Sequence, residues 1–275
     1  MRNPPSSGTI ALNAPFGLWS IIFIIAPLIM VAYFAFTNAD GQLTLESFRY
    51  IYDRRDVYLQ LFGNSMLYGA LATGISLLLA FPLAHFMSQA KVSTQRMLMM
   101  LIMVPMWMNF LIATYAWRFI LEHNGLINNM LAAIGLPRMS LLYTPGAAIL
   151  GMVYNFLPFM ILPIYTVMSR LNTSLLEAAQ DLGAGRLGVL RKVIVPLSMP
   201  GVMSGIVMVF VPSVSIFFVN VRLGGVQLIG DVIERRVFDE INLGAALSLV
   251  LMAIVLLSMV ALNRFSSREK GAFVT

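Results

Sequence analysis

The side chains best suited to chemistry in this chain are aromatic rather than nucleophilic. Trp107, Tyr115, Trp117 and Tyr154 lie within apolar stretches and offer ring faces, while Glu122 and Asp231 offer carboxylates. That combination suits recognition of an organic cation, each cation–π contact contributing about 0.5–2 kcal/mol. Arg118 lies in the same region and opposes a cation. Arg118 and Glu122 are spaced i,i+4 on one expected helix, so the two can also neutralise each other. An ionisable residue at membrane depth marks function by default. Two readings therefore stand: these residues line a path, or they are a structural pair among packed aromatics.

Other chemistry finds no support. Cysteine is absent, which excludes disulfides, thiolate catalysis and cysteine metal sites. His85 and His123 are far apart and neither has a second ligand pattern nearby. A phosphate-cradling loop needs Gly-Lys-Ser/Thr, but Lys91, Lys192 and Lys270 are followed by Val92, Val193 and Gly271. No His/Asp/Glu/Ser constellation suggests an enzyme. The net charge of +6 points to membrane topology, not nucleic acid.

Of the 275 residues, 59% are hydrophobic and 11% charged, with a mean hydropathy of +0.84. Soluble domains are about 45–50% apolar and about 25% charged, so this is an integral membrane protein of the all-α class. Six apolar stretches approach the roughly 20 residues that span a bilayer: Phe16–Phe36, Asn64–Met87, Met97–Leu121, Pro145–Met168, Met199–Val219 and Gly244–Leu262. Placing the N-terminus inside puts ten Lys/Arg on inner segments and seven on outer ones, the sense of the positive-inside rule. Both termini are then cytoplasmic. The first stretch is too long for a signal peptide and lacks a small-residue cleavage site after Pro27, so it reads as a retained span. Residues 1–15 and 263–275 read as tails around a membrane domain over 16–262.

The outer loops carry helices of their own. Leu45–Leu61 suggests a short surface helix, and Leu126–Ile134 is an apolar piece too short to span. Between Asn220 and Leu243, the residues Leu228, Ile229, Val232, Ile233, Val237 and Phe238 recur at helical spacing opposite Glu234, Arg235 and Arg236. This predicts an amphipathic surface helix, either a lid over a pathway or a packing element.

The most organised polar segment is the inner loop over 170–198. Ser174 with Glu177 three residues later forms a capping-box pattern and predicts a helix from Leu175 to Leu182. Gly183 ends it, since a helix terminus commonly needs a left-handed residue. Leu187, Leu190, Val193 and Ile194 predict a second helical piece, with Pro196 and Pro200 leading into the next span. Glu177 serves as a cap, as a docking residue, or as both.

On these residues the segment resembles the EAA loop of ABC importer permeases, in which Glu-Ala-Ala is followed by three residues, Gly, nine residues and Ile-x-Leu-Pro. Glu177-Ala178-Ala179, Gly183 and Pro196 match in register, with Val193 and Val195 in place of Ile and Leu. The resemblance implies a type I ABC importer permease fold of six transmembrane helices in the cell inner membrane. It also implies that Glu177, Ala178, Ala179, Asp181, Gly183 and Pro196 lie at the coupling surface for a cytoplasmic ATPase dimer. Energy would come from ATP-Mg bound by that partner, with no cofactor in this chain.

Further stretches narrow the likeness. Val104–Asn109, Tyr115–Arg118, Tyr143–Pro145, Tyr154 with Leu157–Met160, Asp181–Ala184, Leu223–Gly225 and Leu228–Gly230 are similar to the B-type permease subunit of spermidine/putrescine importers. That implies a polyamine cargo, a second related permease subunit and a periplasmic binding protein that does most of the selection. Trp107, Asn109, Tyr115, Trp117, Arg118, Glu122, Tyr154 and Asp231 are then the candidate pathway or gate residues. Related permeases for iron, phosphonates and other solutes share the architecture, so another small solute stays open. A secondary transporter would need inverted repeats and buried ionisable sites, and the spans hold almost no carboxylates.

Overall fold

The computed structural model describes residues 15–272. The expected N-terminal tail lies outside them except for Pro15, whereas the stretch from residue 263 expected as a tail continues the last helix as far as Ala272. Twelve helices follow in order among the described residues. They are α1 (Pro15–Ala35), α2 (Glu46–Asp53), α3 (Arg55–Gln89), α4 (Val92–Trp107), α5 (Phe110–Leu121) and α6 (Leu126–Ala133). Then come α7 (Pro145–Met168), α8 (Thr173–Asp181), α9 (Arg186–Ser215), α10 (Phe218–Leu223), α11 (Ile229–Asp239) and α12 (Ile241–Ala272). The one extended pairing among the described residues is an isolated bridge between Thr37 and Leu43.

Among the described residues, five helices are long and apolar enough to cross a membrane, and a sixth crossing arises if the bent pair α4 and Phe110–Ala133 counts as one span. This corrects the continuous third span expected over Met97–Leu121: the two parts meet at 92°. Met108 is extended at the break, and the Asn109 side chain caps α5 by accepting a hydrogen bond from the Leu111 amide at 2.8 Å. Apolarity alone carries no information about such a turn. The fifth span is also corrected. Its helix starts at Arg186 and ends at Ser215, thirteen residues before and four residues before the expected bounds of Met199 and Val219.

Two prolines shape their helices in the same way. Wide π-turns occupy Ile21–Ile25 and Leu190–Ile194, immediately before Pro27 and Pro196. Proline lacks an amide hydrogen and its ring clashes with the carbonyl four residues back. Those carbonyls belong to Phe23 and Lys192, both inside the widened turns, where an i→i+5 pattern makes room.

The chain divides into two compact units. In the unit of residues 15–58 and 232–254, Ala35, Ala245 and Ala246 are buried with Val31, Phe34, Phe48, Ile51 and Leu249 around them. The Asn242 amide ties this unit together by donating to the Phe34 carbonyl at 3.0 Å and the Thr37 carbonyl at 2.7 Å. Most large apolar side chains of α1 are exposed, as befits a helix facing lipid or another subunit.

The unit of residues 59–231 and 255–272 is built on α7 and α9, which run antiparallel. A methyl built at Gly201 would fall 2.7 Å from the Pro163 carbonyl oxygen, and one at Gly205 would fall 2.7 Å from the Met160 sulfur. The Gly201–Gly205 spacing thus supplies the small-residue stripe that lets membrane helices approach closely. Around this contact, Ala80, Ala84 and Met87 of α3 pack with Met160, Ile161 and Ile164 of α7 and Val202 and Val209 of α9. A second cluster gathers Ala72, Leu121, Met152, Val219, Leu223 and Leu228.

Candidate coupling helix and outer aromatic cluster

Helix α8 is fixed at both ends by local chemistry. Its N-cap is Asn172, whose side chain accepts from the Ser174 amide at 3.1 Å. The expected Ser174–Glu177 capping box is therefore not the cap. Asn and Ser are comparably good N-caps, and starting the helix two residues earlier moves Glu177 out of reach of the terminus. Glu177 stands exposed in the second turn, free of the capping role. At the other end Gly183 has φ +83°. Its amide donates to the Gln180 carbonyl at 2.8 Å, and the Ala184 amide donates to the Ala179 carbonyl at 3.0 Å. This pair of bonds is the Schellman closure.

The two faces of α8 differ. Leu176 and Ala179, three residues apart, pack against the core of α3, α7 and α9. Leu175, Ala178 and Leu182 form the adjacent ridge at i, i+3 and i+7, about a quarter-turn away, and Leu182 is 89% exposed. Glu177 and Asp181, spaced i,i+4, stand exposed beside that ridge. Of the expected coupling residues, Glu177, Ala178, Asp181 and Gly183 thus share the exposed surface. Ala179 is turned partly into the core, and Pro196 is half-buried within α9 past the π-turn. A cleft of about 480 Å3 lies behind α8, lined by His85, Gln89, Ser169, Leu176, Glu177 and Gln180 among others. Beside α7, the Tyr165 hydroxyl donates to Gln95 of α4 at 2.9 Å, and Gln95 donates to the Ala90 carbonyl at 2.9 Å, holding the short loop between α3 and α4.

The candidate pathway residues do not form one site. Trp107 is 85% exposed at the end of α4, and Asn109 acts as a helix cap. Trp117 and Tyr154 meet edge to face with centroids 5.5 Å apart. Tyr115 instead meets Phe218, with centroids 6.1 Å apart at 74°. The expected Arg118–Glu122 pair is not formed among the described residues: α5 ends at Leu121, and Glu122 is extended and exposed, its side chain no longer on the helix. Its carbonyl accepts from the Gly125 amide at 2.8 Å.

Asp231 is buried, which corrects its placement as a charge offered to a passing ligand. Its carboxylate accepts from the Asn220 amide group and from the Leu228 backbone amide, the latter reaching back to the start of α11 as an acidic residue in a first turn does. Ser65 of α3 accepts from the Ile229 amide at 2.8 Å. Asn220 also donates to the Val226 carbonyl, so the Gly224–Leu228 link is knotted at its base. Close packing reinforces the knot, since a methyl at Gly225 would meet the Tyr143 carbonyl oxygen at 2.1 Å. Tyr143, with φ 59°, is the non-glycine residue with positive φ among the described residues, and its amide donates to the Leu223 carbonyl at 2.8 Å. The amphipathic helix expected after this link exists as α11, with Leu228 and Ile229 fully buried at its start and Phe238 84% exposed near its end. Its start is a packing element.

Residues 72–271 match the family model of the binding-protein-dependent transport system inner membrane component. The chain belongs to that family. It is 35% identical over 266 residues to the spermidine/putrescine transport system permease protein PotB of Haemophilus influenzae, covering 91% of this chain and 92% of that one. Its identity to the protein of the same name from Escherichia coli K12 is 32% over 260 residues, covering 90% and 94%. The fold is similar to a chain of a bacterial ABC transporter that imports the acidic polysaccharide alginate, with a TM-score of 0.76, 20% identity and 94% and 95% coverage. The chain is thus an inner-membrane permease component of a transport system, with the helical fold of ABC importer permeases.

Within this permease, Arg222 of α10 joins the aromatic residues although no expected site included it. Its guanidinium carbon lies 5.5 Å from the centroids of both Tyr115 and Phe218. The signal that could have found it is Phe218-x-x-x-Arg222, which puts ring and cation on one helical face.

Proposed function

We propose that this permease is one of two related subunits forming the translocation path of an ATP-driven importer, and that α8 is where a cytoplasmic ATPase dimer holds it. The observation that carries the reading is the exposed ridge Leu175–Ala178–Leu182 beside Glu177 and Asp181. An apolar ridge exposed on a helix locked at both ends is suited to insertion into a partner's groove, and the two carboxylates fix its orientation. In this reading the motor subunits bind ATP-Mg and perform hydrolysis, both termini are cytoplasmic, and a periplasmic binding protein delivers the cargo. The cargo is a polyamine, spermidine or putrescine, as the names of the relatives at 35% and 32% identity suggest.

The test is reconstitution of the complex with its second permease, ATPase and binding protein. Leu182→Asp should leave insertion intact, because the side chain is almost fully exposed, yet abolish cargo-stimulated ATP hydrolysis and uptake. Glu177→Gln should weaken both. Wild-type uptake by both variants would remove the coupling assignment. Uptake of labelled spermidine and putrescine, set against iron and phosphonate solutes, tests the cargo separately.

A further inference from the structure

Arg222 closes the last turn of α10 and lays its guanidinium between two rings, Tyr115 of α5 and Phe218 of α10. A third ring, Phe110, has its centroid 5.9 Å from Phe218. Three rings converging from two helices form a cation-binding surface of the kind that captures ammonium groups. The Arg222 Nε is buried yet meets no acceptor among the described residues. A buried donor without an acceptor is unfavourable, so ring faces hold this arm with one of its hydrogen bonds unmade. It is a weakly tethered cation on a surface fit for one.

We propose that the Phe110–Tyr115–Phe218 cluster is a station for a protonated amine of the cargo, and that Arg222 is its built-in occupant, which leaves the rings when the amine arrives. The proposal rests on the polyamine reading above and gives that cargo a place in the membrane domain. Repulsion between Arg222 and an arriving ammonium makes the two mutually exclusive. Because only the fraction of permease with the station empty binds amine, the occupant lowers apparent affinity by that fraction. Arg222 is accordingly a specificity-setting residue: a cargo with two or more amines replaces the lost ring contact better than one with a single charge.

The test uses the full reconstituted complex and measures spermidine uptake and cargo-stimulated ATP hydrolysis against concentration. Arg222→Gln removes the occupant and should lower the half-saturating spermidine concentration about three- to tenfold. Arg222→Met, which keeps the aliphatic stem over the rings, should act in the same direction and guards against a packing artefact of glutamine. Arg222→Lys should stay near wild type. Tyr115→Leu should raise the half-saturating concentration about three- to tenfold, and adding Arg222→Gln to it should give little of the gain seen in the wild-type background. Uptake by the wild-type complex with unchanged or raised half-saturation in both Arg222→Gln and Arg222→Met overturns the proposal alone. A wild-type complex that takes up no polyamine overturns the cargo reading and the proposal together.

Discussion

Gly183 offers the sharpest perturbation because its backbone and its surroundings make opposite demands. Its φ of +83° is a conformation that side chains resist, yet a methyl built on it meets no atom within 4 Å. Within the free permease the cost of substitution is therefore conformational, not steric. Placing an L-residue in the left-handed region costs roughly 1–2 kcal/mol, equivalent to about a five- to thirtyfold shift between closed and frayed forms. Helix α8 has nine residues, too few to hold itself without end closure, so fraying reaches Asp181 and Leu182. The full cost should then appear in coupling and little of it in membrane insertion. The series Gly183→Asn, Gly183→Ala and Gly183→Val separates conformation from space, since Asn tolerates the left-handed region although it is larger than Ala. Cargo-stimulated ATP hydrolysis in proteoliposomes should fall in the order Gly, Asn, Ala, Val, with Val at a few per cent or less. An order that follows size, with Asn below Ala, would refute the conformational argument and place a partner surface directly over Gly183.

Three further outcomes follow from local geometry. Asn172→Ala removes the cap of α8 and should cost about 1 kcal/mol of helix stability, whereas Ser174→Ala should be nearly neutral; amide hydrogen exchange over residues 173–182 distinguishes them, and the reverse ranking would restore the capping box. Gly201→Ala drives a methyl against the Pro163 carbonyl and should lower stability by about 1–3 kcal/mol, seen as a reduced Tm in detergent. Gly205→Ala should be milder, because the flexible Met160 side chain can move aside. Asn220→Leu unmakes the contacts to Asp231 and Val226 and should cost about 2–4 kcal/mol through the polar groups left buried, read by the same thermal assay; an unchanged Tm would mean that the knot is not structural.

The elements legible in the sequence were those whose cause is local. Spans such as Pro145–Met168 end where apolar residues end, and Pro145 behind the Thr144 cap starts that helix as its chemistry requires. Gly183 could be placed because only a left-handed terminus explains a glycine there. The cap of α8 was misread because Asn172 and Ser174 are both good N-caps, and the glutamate three residues after Ser174 favoured the wrong one. The 92° break at Met108–Asn109 escaped an apolarity count, although Pro105 and Asn109 are the two residues that such a turn would use. The inward turn of Ala179 escaped because Glu177-Ala178-Ala179 matched as one motif, although Leu176 and Ala179 share a helical face that packs on the core. What no local pattern contained were the long-range partners: Phe218 against Tyr115, Ser65 against Ile229, and the burial of Asp231 all depend on which helices pack.

In the proposed mechanism, movement imposed on α8 must reach the membrane helices without being absorbed on the way. The described contacts make that transmission short. Leu176 and Ala179 seat α8 on the same core that contains Val189 and Ile194 of α9, and two residues separate the Schellman glycine from the start of α9. From Arg186 to Ser215 α9 is one helix, with the π-turn at Leu190–Ile194 absorbing Pro196 without interrupting it. Gly201 then brings α9 against the Pro163 carbonyl and the Ile164 backbone of α7, and Gly205 brings it against Met160. At Gly201 the nearest atoms of α7 are backbone, which has no rotamer to rearrange, so sliding there meets backbone repulsion at once. Displacement of α8 should therefore move α7 and α9 as a pair.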